Sequence, residues 1–225
     1  MKKDIEIQNN VLEEIRQLPS VNASTIGVAV KNGIVTLSGS VDSYPKRIAI
    51  ERATLAVRDV IGIAEEIRVQ LVPAMQVQDT ELAQAVLHAI EWNSGLDPKR
   101  IHLIVENGSV RLEGEVDWEY QRKLAYRNVY NIKGVREVTN NIRITQKPFP
   151  IQVNEKIKSA FERNANIDAS KVEVKVEGNK VILSGTVKCY TEKKEAESCV
   201  WRIPGVTEVV NQLNYEEDYD TSEVL

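Results

Sequence analysis

Three short stretches carry the residues best suited to chemistry: "SYPKR" with Tyr44 and Arg47, "WEYQR" with Trp118, Tyr120 and Arg122, and "YTEK" with Tyr190 and Lys193. Arg47, Arg122 and Lys193 fall at equivalent positions, each expected near the start of a helix whose free N–H groups favour an anion. An aromatic ring beside such a cation can rest at the level of a lipid headgroup or stack on a partner. The alternative is that the ring covers the helix end and the cation is simply solvated. Tyr44, Arg47, Trp118, Tyr120, Arg122, Tyr190 and Lys193 are therefore the candidate binding residues, with phosphate or carboxylate as the group they would take.

Other reactive side chains point to no catalysis. His88 aligns with Glu13 and Ser159 on the polar side of a helix, and His102 sits between Ile101 and Leu103, which face inward. Neither has a base or metal partner in sequence. Cys189 and Cys199 form no C-x-x-C pair, and two cysteines in one third of the chain fit reduced thiols better than a disulfide framework. Cys199 reads as a small packing residue and Cys189 as the more exposed thiol. Asn140 and Asn211, at inward positions of a strand, are expected to satisfy backbone groups. No metal, cofactor or enzymatic activity is expected.

The segments that must position these residues recur. Gly114 lies 75 residues beyond Gly39, and Gly185 lies 71 beyond Gly114; the same offsets relate Val30, Val105 and Val176 without a gap. Repeats of this length are structural units. They divide the chain into 1–70, 77–145 and 150–216, joined by "LVPAMQ" and "TQKPF" and followed by an acidic tail, 217–225. A unit this small buries only about 60% of its unfolded surface, so support between neighbours is expected.

Periodicity within a unit changes in a fixed order. Steps of four (Ile7, Val11, Ile15; Leu82, Val86, Ile90; Val153, Ile157, Phe161) predict a helix. Asp79 and Thr80 are candidate N-caps of the second copy. Alternation through Ile26, Val28, Val30 and their equivalents predicts a strand. "VKNGIVTLSGSV" then places Asn32-Gly33 in a tight turn, repeated at Asn107-Gly108 and reversed at Gly178-Asn179. A second helix carries Ile50, Thr54, Val57, or Ala125, Val129, Ile132, or Ala196, Val200, Ile203. It should end at Gly134 and Gly205, with Asp59 giving the first copy a differently shaped end. A last strand follows. The fold class is α+β: three tandem α-β-β-α-β modules, each a three-stranded sheet covered by two helices.

This order, with "V-x-NG-x-V-x-L-x-G-x-V", a helix and "GV-x-x-V-x-N-x-I", resembles the BON domain family of bacterial osmotic-stress and nodulation proteins, three times over. The resemblance implies a non-enzymatic binding module associated with osmotic and envelope stress and with phospholipid surfaces. The partner would be an anionic lipid surface, an envelope component or another protein. A second reading is a sensor of a small ligand or ion, such as the potassium bound by a cytoplasmic relative, that changes its inter-module arrangement.

The net charge of -4 argues against a dedicated nucleic-acid partner. No apolar run approaches the roughly 18 residues of a transmembrane helix. "MKKDIEIQNNVLEEI" lacks a signal-peptide core, so the expected address is the cytoplasm, or the periplasm had a leader been removed.

Overall fold

The computed structural model describes residues 2–145, 153–164, 167–203 and 205–216. Two compact units make up the chain, residues 1–147 and residues 148–225. The first holds two modules and the second holds one. The expected acidic tail and most of the "TQKPF" connector lie outside the described residues.

Module 1 runs α1 (Lys2–Arg16), β1 (Ile26–Lys31), β2 (Ile34–Val41), α2 (Tyr44–Ala56) and β3 (Gly62–Val69). Module 2 repeats the order with α3 (Asp79–Glu91), β4 (Ile101–Glu106), β5 (Ser109–Val116), α4 (Glu119–Val129) and β6 (Glu137–Ile144). Module 3 has α5 (Val153–Glu162), β7 (Val172–Glu177), β8 (Lys180–Val187) and α6 (Tyr190–Trp201), then a last strand broken into β9 (Glu208–Asn211) and β10 (Asn214–Tyr215). In each module the middle strand is central, antiparallel to the strand before it and parallel to the one after. A parallel return needs a crossover, and the second helix supplies it.

Alternation decides which sheet face the helices cover. Val35, Leu37 and Val41 of β2 join Ile26, Ile67 and the helix residues Ile7, Val11, Ile15 and Ile50 in one buried cluster. Leu82, Val86 and Ile90 do the same in module 2, and Ile157 and Phe161 in module 3. The side chain of Val153 lies outside the described residues. Thr54, fully buried, returns its hydroxyl to the Ile50 carbonyl at 2.9 Å, so a polar residue occupies the apolar stripe without an orphaned donor.

The turns match the sequence at two copies and refine it at the third. Asn32 and Gly33 take φ of 52° and 74°, and Asn107 and Gly108 take 51° and 79°, the double left-handed pair of a type I′ turn. At the third copy Gly178 has φ 63° while Asn179 is absent from the positive-φ residues. Glycine first, positive φ first: this is the II′ pattern.

Two details correct the sequence reading and a third bears it out. Asp79 is not a cap; Gln78 holds that position, and the Asp79 carboxylate instead accepts from the N–H groups of Asn107 and Gly108 at 2.7 and 2.9 Å. Asp4 reaches Gly33 N in the same way in module 1, so the first turn of the first helix fastens the hairpin. Gly134 does not end α4, which closes at Val129 with Tyr130 still αR. The glycine lies further on, at φ 96°, where a Cβ would run into the side chain of Val77. Asp59 takes φ 67° at the equivalent place. The left-handed turn is thus kept by an aspartate, one of the residue types that tolerate it, although α2 itself does end differently, with Val57 extended.

Candidate functional site

In module 1 the turn before α2 is closed. Tyr44, the first residue of α2, is only 5% exposed and packs with Ile48 into the hydrophobic cluster of module 2. Its hydroxyl meets that of Tyr126 on α4 at 3.2 Å. Tyr126 in turn stacks on Tyr130 with ring planes 2° apart. Arg47 lies over the Tyr44 ring at 5.8 Å and donates Nε to Glu65 Oε1 at 2.8 Å. Burial works against the Arg47 charge, but Glu65 outweighs it and holds the guanidinium above the usual arginine pKa. Tyr44 and Arg47 do not stand open to solvent, because the neighbouring module covers the ring and Glu65 neutralises the cation.

Module 2 is built differently at the same positions. By the repeat offset Glu119 occupies the place of Tyr44 and of Tyr190, so Trp118 and Tyr120 flank that place rather than fill it. Glu119 is 8% exposed and pairs with Arg122 Nε at 2.7 Å and with Lys123 Nζ at 3.8 Å. Its neighbours turn outward: Trp118 is 37% exposed and Tyr120 is 59% exposed. Gln121 holds the turn, accepting from Asp117 N and Trp118 N and donating to the Gly95 carbonyl at 3.0 Å. That last bond brings the loop after α3 to the start of α4. At the head of that loop stands Trp92, 89% exposed. The sequence reading missed Trp92. Two residues past Ile90 it lies off the α3 apolar stripe, and a tryptophan so placed is itself a signal.

Module 3 combines features of both. Tyr190 is half-buried at the start of α6, with Lys194 Nζ 5.7 Å from its ring. Lys193 is turned inward, donating to the Leu213 carbonyl at 2.6 Å and lying 5.4 Å from the Tyr215 ring. Glu192, 6% exposed, accepts from Lys188 N and Asp168 N and so ties the helix start to the sheet entry. Asn140 and Asn211 each donate to the backbone carbonyl of the cation residue, Arg122 or Lys193, and accept from Ile142 N or Leu213 N. These are backbone-satisfying roles. Cys199 is buried and Cys189 half-buried.

Three modules of one topology, each with a two-residue hairpin and a crossover helix before the parallel last strand, match a known pattern. The BON domain family model fits residues 3–70, 78–146 and 152–217. The chain belongs to the BON domain family. A similar protein is the "21 kDa hemolysin" of Actinobacillus pleuropneumoniae, 28% identical over 148 residues, which span 62% of this chain and 75% of that one. Among solved structures, two of CdsD, a structural protein of the type III secretion system of Chlamydia trachomatis, align with it. One has 16% identity and a TM-score of 0.26, covering 95% of this chain and 98% of that one. The other has 15% identity and a TM-score of 0.24, covering 94% of each. BON domains are associated with phospholipid binding and with stress-related envelope proteins. No helix among the described residues of this BON protein is long and apolar enough to cross a membrane. Nor do the described residues include a group of three or more His, Cys, Asp or Glu side chains able to hold a metal ion.

Proposed function

We propose that this BON protein is a non-enzymatic adaptor that attaches to an anionic lipid surface chiefly through one end of module 2. The observation that carries this reading is the set of three outward aromatic side chains, Trp92, Trp118 and Tyr120, around the Gln121–Gly95 junction. Tryptophan and tyrosine have an apolar body and a polar edge, the combination that suits a headgroup region. Lys99, exposed, and Arg100, ion-paired to Asp117 at 2.9 Å, belong to the same end of the module. Exposed charges of this kind contribute only about 0–1 kcal/mol each, so the rings dominate. Module 1 contributes little, with Tyr44 buried and Arg47 engaged by Glu65. In module 3, Tyr190 and Lys193 act as secondary contacts at most.

The test is co-sedimentation with phosphatidylglycerol-containing vesicles, with phosphatidylcholine vesicles alongside and tryptophan emission followed in parallel. The expected result is pelleting with the anionic vesicles, a blue shift of the emission, and loss of both when Trp92, Trp118 and Tyr120 are changed to serine. Arg47→Gln should bind like the parent. Parent-like pelleting of the triple serine variant, or no pelleting of the parent, overturns the reading.

A further inference from the structure

The first strand of each module is a sheet edge, and modules 1 and 2 finish that edge differently. In a two-residue hairpin the residues flanking the turn form a closely bonded pair. Glu106 is therefore bonded to Ser109, and His102 and Ile104 also point their N–H and C=O groups at β5. Leu103 and Val105 point theirs the other way, off the edge. Module 1 shows that direction: Gln8 of α1 donates Nε2 to the carbonyl of Val28 at 2.7 Å, and Val28 stands where Leu103 does. In module 2 Ala83 takes the place of Gln8 and has no amide to give. Among the described residues nothing outside the sheet ladder bonds to the backbone of Leu103 or Val105.

Two apolar side chains bracket this open edge. Ile104, 44% exposed, lies on the sheet face away from the helices. Leu87, 41% exposed, lies one turn beyond Ala83 on α3. Asn128 of α4 reaches the Ala89 carbonyl on one flank of the stripe Leu82, Val86, Ile90. Ala83 and Leu87 occupy the opposite flank, the one that faces the β4 edge. His102 and Glu106, two places before and after Ile104, are exposed and in no ion pair among the described residues. The charged residues beside them on β5, Arg111 and Glu113, pair with each other at 3.7 Å.

We propose that the β4 edge pairs antiparallel with the β4 edge of a second copy of the chain, about a two-fold axis at Ile104. The side chains set this register. With Ile104 opposite Ile104 of the partner subunit, Leu103 exchanges N–H···O=C bonds with the partner's Val105, and Val105 with the partner's Leu103. His102 then faces the partner's Glu106 in a non-hydrogen-bonded pair, where side chains lie closest, and its ring N–H donates to that carboxylate. On the helix side Leu87 meets the partner's Leu87, with Ala83 small enough to admit it. Each group left open in one copy is answered by the same patch of the other, which is the requirement of an isologous interface. A lone peptide strand would satisfy the backbone but would bring no second helix to cover Leu87. The sister edges are unsuited to this pairing. In module 1 Gln8 already holds the Val28 carbonyl, and Ala29 stands in the place of Ile104. In module 3 that place belongs to Lys175, and an edge lysine opposes strand pairing.

Sedimentation velocity of the full chain, from low micromolar to near-millimolar concentration, tests the proposal. The expected result is a concentration-dependent shift from one chain to two. Ile104→Lys, which brings the module 3 residue to an exposed site, should raise the dimer dissociation constant about tenfold or more. Ala83→Gln, which brings in the module 1 amide, should act in the same direction. Ala29→Lys, the matching change on β1, should leave the constant unchanged, and circular dichroism confirms that each variant is folded. The register has its own readout in a Cys189→Ser background, Cys199 being buried. Mild oxidation should link Ile104→Cys copies in pairs, because that position meets its own equivalent at a Cα separation of about 4.5 Å. His102→Cys copies should stay single. A single-chain mass at every concentration overturns the proposal. So does a dimer that Ile104→Lys does not weaken or that Ala29→Lys weakens as much, or cross-linking of His102→Cys as ready as that of Ile104→Cys.

Discussion

Modules 1 and 2 share a fold and nearly share a sequence pattern, yet the turn that opens their second helix has opposite fates. In module 1 it presents Tyr44, which buries itself in module 2, and Arg47, which pairs with Glu65. In module 2 it presents Glu119, which folds back on Arg122, while Trp118 and Tyr120 remain outside. One position decides the outcome. A tyrosine there has enough apolar area to reach a neighbouring module and a hydroxyl to finish the contact. A glutamate there is held by cations of its own helix and leaves the adjacent rings to solvent. The same backbone thus makes one module an internal joint and the other an external surface.

The sharpest way to break the comparison is to remove the joint. Tyr44→Ala should cost about 3 kcal/mol, the usual range for deleting a buried aromatic ring, and should split thermal unfolding of the first unit into separate module transitions. A single transition with an unchanged midpoint would mean that the two modules do not support each other. Alkaline pH tests the same contact without a cavity. Burial and the Tyr44 hydroxyl push the Tyr126 pKa above its ordinary 10.0, so the protonated phenol is the form the fold favours. Its stabilisation is fully present below pH 10 and is lost as pH rises through the higher folded value. Tyr126→Phe should therefore flatten the loss of stability above pH 10, measured by chemical denaturation at a series of pH values.

A smaller change should sharpen the comparison by exchanging one module's chemistry for the other's. Glu65 stands where modules 2 and 3 have Asn140 and Asn211. Glu65→Asn should let the new amide reach the Arg47 carbonyl, as Asn140 reaches that of Arg122, while the guanidinium loses its carboxylate. The pair is less than a quarter exposed, with side-chain values of 23% and 17%, so the net loss should be about 1 kcal/mol in a urea titration. A loss several times larger would show that Glu65 does more than neutralise Arg47; no loss would make the ion pair incidental.

What could be read from sequence was local. The module order, the helix stripes and the two Asn-Gly turns follow from periodicity and from φ preferences that act within a few residues. The fate of Tyr44 was not legible, because its partner Tyr126 is 82 residues away and nothing in either helix specifies the docking. That Glu119 replaces the tyrosine was visible in the repeat alignment, but a shared aromatic theme hid the shift of Trp118 and Tyr120 to flanking positions. Trp92 was visible too, as an aromatic off the apolar stripe of α3. The role of Asp79 was misassigned because a carboxylate at a helix start serves a cap and a hairpin clamp equally well until the hairpin is placed.

The smallest expected effect concerns the third hairpin, which departs from the other two by the order of two residues. Gly178 supplies the only positive φ of its turn, at 63°, and a Cβ added there would meet nothing within 4 Å. The double change Gly178→Asn with Asn179→Gly would restore the order of modules 1 and 2. Both primed turns match the twist of the flanking strands, so the register of Glu177 with Lys180 should survive the exchange. One local bond opposes it: Asn179 Nδ2 donates to the Gly205 carbonyl at 2.7 Å, and a glycine cannot. Losing that part-buried bond costs about 0.5–1.5 kcal/mol, against a gain of a few tenths from a better turn pair. The variant should thus be slightly less stable than the parent, by under about 1 kcal/mol. Asn179→Gly alone should lose at least as much, because it adds backbone entropy to the unfolded chain without improving the turn. If the double variant proves more stable than the parent, turn geometry outweighs the Asn179 bond, and the reversed order in module 3 has no structural advantage to explain it.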